Sequence, residues 1–285
     1  MSIVYLNGTY MPIEQASISP LDRGFLFGDG IYEVIPAYDG RMVGFGPHID
    51  RMIEGLAALE IELNWSHDEW RQVCEQLIER NPAPQVGLYL HVTRGADTKR
   101  HHPYPKGVAP TVFAMPTEIP AAPIPERDKV HAYKVTSMQD QRWQRCNIKS
   151  ISLLGNVMHY QQGYSQGSGE VLLFNSNDEL TECGACNAYI VKKGTVITPA
   201  LDHQILPGIT RLIALGVLRA DGSIPVEERA ITKQEVFDAD EIWISSSSKE
   251  IAPVTELDGQ PVGDGKPGVI WERAAKLYSA GKFNY

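Results

Sequence analysis

RCNIKSISLLGN, residues 145–156, sets one lysine, Lys149, among Ile148, Ile151, Leu153 and Leu154, and LTECGACN, residues 180–187, follows with a lone acid, Glu182. An ammonium withdrawn from water is disfavoured against its neutral amine, and a neutral amine is the nucleophile and base that Schiff-base chemistry needs. A lysine on the wet face of a strand, or one whose stem lies along apolar surface, produces the same pattern. The small residues Cys183, Gly184, Ala185 and Cys186 let a flat ring approach the backbone, where a carboxylate can pair with a ring nitrogen that must stay protonated. A surface acid at a turn reads the same way. Cys183 and Cys186 form a CxxC with no second pair, no histidine pair and no helix start after a strand, so no metal is expected there.

Outward from this stretch, hydropathy gives the elements. IVYLNGTYMPI reads as a hairpin turning at Asn7-Gly8, a pair that accepts the positive φ of a tight turn. Ile49, Met52, Ile53, Leu56 and Leu59 recur at helical spacing, as do Trp70, Val73, Leu77 and Ile78. VGLYLHVTRG and PTVFAM read as strands, and TEIPAAPIPER, without any period, reads as a linker. Past it, VHAYKVTSM, EVLLFN, the two arms of NAYIVKKGTVITP turning at Lys193-Gly194, and EIWISSSS are strand-like. A helix is expected from Leu153 to about Gln166, another over GITRLIALGVLRADG, and a last one over KPGVIWERAAKLYSA. The expectation is an α+β protein: a small α/β domain over 1–117, a linker over 118–127, and a larger mixed domain over 128–285 with a barrel-like sheet.

The 285 residues, 43% hydrophobic and 21% charged, allow a substantial core. A net charge of -9 argues against nucleic acid or an anionic membrane as partner, since Lys99-Arg100-His101-His102 is the single dense basic cluster. No apolar run approaches the roughly 20 residues of a membrane span, and the N-terminus lacks a signal-like core. Four cysteines are too few for a disulfide framework. The chain reads as cytoplasmic.

A phosphate calls for clustered N–H donors at a helix start. In LPGITR, Pro207 and Gly208 open a helix whose amides at Ile209 and Thr210 can face an anion, and Ser245 to Ser248 add hydroxyls at a strand end. An ordinary helix cap and an exposed serine loop are the plainer readings. In DRGFLFGDGIYEV, Gly24, Gly28 and Gly30 imply sharp bends that set Tyr32 as a phenol donor, or as a core tyrosine beside a glycine-rich turn.

The order DRGFLFGDGIYEV, HIDR, TRGADTKRHHPYP, RCNIKS, LTECGACNAYI, LPGITR and EIWISSSSKEIAPV resembles the class IV (fold type IV) aminotransferases that use pyridoxal 5'-phosphate, and within them the D-amino acid (D-alanine) transaminases. The resemblance runs nearly end to end. It implies that Lys149 joins the cofactor as a Schiff base and shuttles the proton, and that Glu182 pairs with the pyridine nitrogen. It further implies that Arg51, the amides of Ile209 and Thr210, and Ser246 and Ser247 hold the phosphate. Tyr32, Arg100 and His102 would take the substrate carboxylate, the last two on a loop that reaches across the interface of a homodimer. The reaction implied is transamination between a D-amino acid such as D-alanine and a 2-oxo acid such as 2-oxoglutarate.

The chain departs from the family pattern at three places. The carboxylate loop is one residue longer, so Lys99 or His101 can stand where Arg100 or His102 is expected. Gly184, Ala185 and Cys186 replace serines, and Asn147 replaces an acid. A branched-chain L-amino acid transaminase, an R-amine transaminase and an aminodeoxychorismate lyase share the fold. The serine run in place of Gly-Thr-Ala-Ala, and the Arg-x-His loop, lean away from the branched-chain enzymes. A non-catalytic cofactor carrier would have no need of a carboxylate trap.

Overall fold

The computed structural model describes residues 2–285, and its contacts divide the chain into two units. The first holds the chain up to Ala121 together with Ile148–Leu153, and the second holds Ala122–Asn147 and Leu154–Tyr285.

In the first unit, β1 (Ile3–Leu6) and β2 (Thr9–Pro12) form the hairpin, with φ of 46° at Asn7 and 95° at Gly8. A single short helical turn, α1 (Arg23–Phe27), precedes β3 (Gly30–Tyr38) and β4 (Arg41–Met42). The two periodic stretches are helices α2 (Phe45–Ala58) and α3 (His67–Arg80), the latter started by a capping box between Ser66 and Glu69. Strands β5 (Gln85–Thr93) and β6 (Thr111–Thr117) complete an antiparallel sheet in the order β2-β1-β6-β5-β3-β4. Ile31 and Ile35 from β3, Leu88 and Leu90 from β5, and Ile49, Met52, Trp70 and Leu77 from the helices share one buried core. Each such side chain contributes roughly 1.5–3 kcal/mol by leaving water.

The edge of β3 at residues 30–32 lies beyond the reach of β4, which pairs only with Ala37 and Tyr38. The Ile148–Leu153 strip covers it: Tyr32 N donates to Lys149 O, Ile151 N donates to Gly30 O, and Ile31 bridges Ser150. The boundaries expected from the sequence assign this strip to the larger domain, and pairing to the open edge is the physical reason it belongs to the smaller one.

In the second unit, β7 (Tyr133–Gln139), α4 (Leu154–Ser165), β8 (Glu170–Phe174), β9 (Leu180–Cys183), β10 (Asn187–Lys192) and β11 (Thr195–Thr198) come first. They are followed by α5 (Ile209–Asp221), β12 (Val226–Glu228), α6 (Lys233–Phe237), β13 (Glu241–Ser246), β14 (Glu250–Leu257), β15 (Gln260–Pro261) and α7 (Val269–Gly281). The sheet runs β12-β11-β10-β13-β14-β7-β8-β9, with β15 on β14, and mixes parallel pairs at β11–β12, β14–β7 and β7–β8 with antiparallel ones. β9 ends the path, yet Cys183 N bonds Cys186 O in the short turn into β10, so the sheet has to curl until β9 comes round to β10. Leu172, Phe174, Ile190, Ile242, Ile244 and Val254 pack in its core. Among the described residues no helix is long and apolar enough to cross a membrane.

Candidate active site

The first unit carries Lys149, Tyr32, Arg51, Arg100 and His102. Lys149 is half-buried, with Nζ 4.1 Å from the centroid of the Tyr32 ring, so the strip that closes the β3 edge also brings these two together. Of the expected apolar neighbours, Ile148 packs against the core while Leu154, in the other unit, is 72% exposed. Gly28, at φ 67°, ends α1 where a Cβ would stand 2.4 Å from Ser152 Oγ, so the turn before Tyr32 admits only glycine.

Residues alternate along β3, and Glu33 falls between Ile31 and Ile35 on the helix-covered face with no exposed surface. Two side chains of α2 meet it. Arg51 donates from Nε to Oε1 and from Nη2 to Oε2, both at 2.7 Å, and His48 Nδ1 lies 2.6 Å from Oε2. Burial alone would raise the Glu33 pKa, and Arg51 and His48 together hold it down to about 2. Burial lowers that of His48, against the opposing charge and hydrogen bond of Glu33.

Arg100 and His102 lie exposed on the 96–110 loop, Arg100 at 5.0 Å and the His102 ring at 5.4 Å from the Phe27 ring. No hydrogen bond or ion pair joins either to Lys149 or Tyr32 among the described residues. The loop is tethered through its backbone: Arg23 donates to the carbonyls of His101 and His102 at 2.5 and 3.1 Å. Asp29 holds both Arg23 and Arg94, and Arg94 lies 3.5 Å from the Tyr104 ring centroid.

The second unit carries Glu182, Ile209, Thr210, Ser246 and Ser247. Glu182 is buried on β9, where Oε1 accepts from Arg142 Nη1 at 2.5 Å and Oε2 accepts from Asn187 Nδ2 at 3.2 Å and Leu206 N at 3.1 Å. Burial pushes its pKa up to about 7 against the opposing charge of Arg142. Arg142 also grips Asp140, at 2.8 Å. Asn187 donates again, to Leu206 O at 2.9 Å, so one amide ties the acid to the turn that opens α5. In that turn a Cβ on Gly208 would fall 1.9 Å from Asn187 Oδ1. The first bond of α5 is Leu212 N to Gly208 O, which leaves the Ile209 and Thr210 amides ahead of the ladder at the positive end of a 13-residue helix. Ser245 pairs with Asn187 across β13 and β10, which sets Ser246 and Ser247 beyond the same strand end. Ser246 Oγ accepts from Lys249 N at 3.2 Å.

The CxxC forms the β9–β10 turn. Both thiols are buried, which pushes their pKa up, and Cys186 Sγ donates to Glu170 at 3.3 Å. Gly184 is small for a packing reason, since a Cβ there would meet Glu170 Oε1 at 2.9 Å. Glu33, His48, Arg142 and Asn187 escaped the sequence reading. Glu33 carried a signal, an acid at the inward position of an alternating strand, whereas Arg142 is 40 residues from its partner and carried none.

The donor set suits pyridoxal 5'-phosphate. A carboxylate met only by N–H donors keeps lone pairs for a ring N–H, a helix start offers amides for a phosphate, and a lysine stands beside a phenol. Known proteins point the same way. Residues 30–257 match the model of the class IV amino-transferase family. The D-alanine aminotransferase of Listeria monocytogenes is 37% identical over 271 residues, covering 94% of this chain and 91% of that one. The branched-chain amino acid aminotransferase of Escherichia coli superposes with a TM-score of 0.90 at 21% identity, covering 99% of this chain and 94% of that one. The branched-chain aminotransferase of the archaeon Thermoproteus uzoniensis, solved with norvaline, gives 0.86 at 21%, covering 99% and 95%. The fold, the lysine and acid with their neighbours, and a family match over most of the sequence agree that this chain belongs to the class IV aminotransferases, which use pyridoxal 5'-phosphate.

Proposed function

We propose that the protein transaminates between a D-amino acid such as D-alanine and a 2-oxo acid such as 2-oxoglutarate, as a cytoplasmic homodimer. The observation that carries this reading is the likeness to D-alanine aminotransferases over 94% of the chain, whereas the branched-chain structures at 21% identity bear on the fold alone.

Bound pyridoxal 5'-phosphate supplies the electron sink for the carbanion formed at the substrate Cα. The Lys149 amine would attach the cofactor and then carry the proton between the substrate Cα and the cofactor carbon. Glu182, anionic beside Arg142, holds the proton on the ring nitrogen. The Ile209 and Thr210 amides, Arg51, Ser246 and Ser247 bind the phosphate. Arg100, whose planar fork matches a carboxylate, takes the substrate carboxylate with His102 and Tyr32. Support for these roles comes from the buried Glu182, the α5 start tied to it through Asn187, and the Lys149–Tyr32 contact.

Half-reactions test it. The cofactor absorbance of purified protein is followed after adding D-alanine, L-leucine or an R-amine separately, with Lys149→Ala as the control. Rapid conversion by D-alanine alone is expected, and none with the control. Conversion by L-leucine or the amine in its place would move the chain to a sister activity.

A further inference from the structure

The inward face of β3 offers Ile31, Glu33 and Ile35 to α2 and α3, and a core built for stability alone would carry an aliphatic residue at all three. A buried carboxylate is retained at a cost in desolvation, so its geometry is where a role has to be sought. Glu33 accepts a two-pronged bond from Arg51, which fixes the plane of the guanidinium. His48, three residues before Arg51 and so on the same helix face, holds the second Glu33 oxygen.

Two roles for Glu33 predict opposite signs. As a mere counter-charge it would weaken the attraction of Arg51 for an anion, and its removal would tighten phosphate binding. As an orienting group it would hold Arg51 in the pose that meets the anion, and its removal would loosen binding. The bidentate geometry and complete burial favour the second. We propose that Glu33, backed by His48, is a positioning residue that sets the Arg51 guanidinium toward the cofactor phosphate. This rests on the phosphate role given to Arg51 above.

The test titrates the cofactor-stripped full-length protein with pyridoxal 5'-phosphate and, separately, with pyridoxal, which lacks the phosphate. Dissociation constants come from tryptophan quenching for the wild type, Glu33→Gln, Arg51→Gln and the double variant. Glu33→Gln is expected to weaken pyridoxal 5'-phosphate about tenfold or more, the loss of roughly one charge-assisted hydrogen bond, while changing pyridoxal less than about twofold. The double variant should bind no more weakly than Arg51→Gln alone, because Glu33 acts through Arg51. Unchanged or tighter pyridoxal 5'-phosphate binding by Glu33→Gln, or an equal loss for both ligands, would overturn the proposal. If Glu33→Gln does not fold, Glu33→Asp, which keeps the charge but withdraws it by one methylene, faces the same two outcomes. A wild type indifferent to the phosphate, or an Arg51→Gln variant that binds normally, would instead remove the phosphate role of Arg51 and the proposal with it.

Discussion

Glu182 sits between two opposed pressures. Burial drives a proton onto it and Arg142 drives the proton off, and the balance falls at a pKa of about 7. Every protein group that meets it is an N–H donor, and these three leave about one of the roughly four lone-pair sites of its oxygens open to a proton or to a further donor. A ring N–H adds a fourth donor and tips the balance toward the anion. Glu182→Gln places an amide nitrogen among these donors and removes the charge that keeps the ring nitrogen protonated. The D-alanine half-reaction should then slow on the order of 10²–10³-fold, comparable to the loss of one preorganised electrostatic partner, with the cofactor still bound through its phosphate. Stopped-flow absorbance reads this, and a rate within a few-fold of wild type would remove Glu182 from that role. The acid was legible in the sequence because it stood alone among small residues. Its partners were not, because Arg142 and Asn187 reach it only once β9, β10 and the Leu206 turn have been brought together.

At the scale of elements, the periodic helices and the Asn7-Gly8 hairpin could be read directly, since each is set by local spacing and turn chemistry. Strand order could not, because it depends on which edges remain open. The pairing of the Lys149 strip with β3 is the clearest instance: nothing in RCNIKSISLLGN names Gly30 or Tyr32 as its partners. The start of α5 shows how closely two elements are fitted. Gly208 has an ordinary φ of -64°, so its requirement is steric, set by Asn187, whose amide is already committed to Glu182 and Leu206. Gly208→Ala should therefore cost about 1–3 kcal/mol of stability, the usual range for overpacking. It should also displace the α5 amides and weaken pyridoxal 5'-phosphate binding. A urea midpoint and a cofactor titration check both effects, and a variant matching wild type in both would show that Asn187 yields freely.

For the whole molecule, acid stability follows from the buried ion pairs. Glu33 is depressed from an ordinary 4.5 to about 2, so its contribution is fully present above pH 4.5 and is lost as pH falls toward 2. The shift corresponds to stability on the order of 3 kcal/mol at neutral pH. Glu182, raised to about 7, acts oppositely: the folded state takes up its proton first, and its contribution declines as pH rises from 4.5 through 7. Urea midpoints measured from pH 2 to 8 should show a steep acid limb that Glu33→Gln flattens, and a limb unchanged in that variant would place the acid sensitivity elsewhere.

The excursion of Ile148–Leu153 into the first unit also bears on synthesis. As the chain leaves the ribosome, everything up to Ala121 emerges first, with helices and six strands able to form and the β3 backbone at Gly30–Tyr32 still without a neighbour on that edge. An unpaired strand edge is a template for pairing with another nascent chain. That exposure lasts until Leu153 has emerged, so the segment that carries Lys149 is also the one that ends the vulnerable interval.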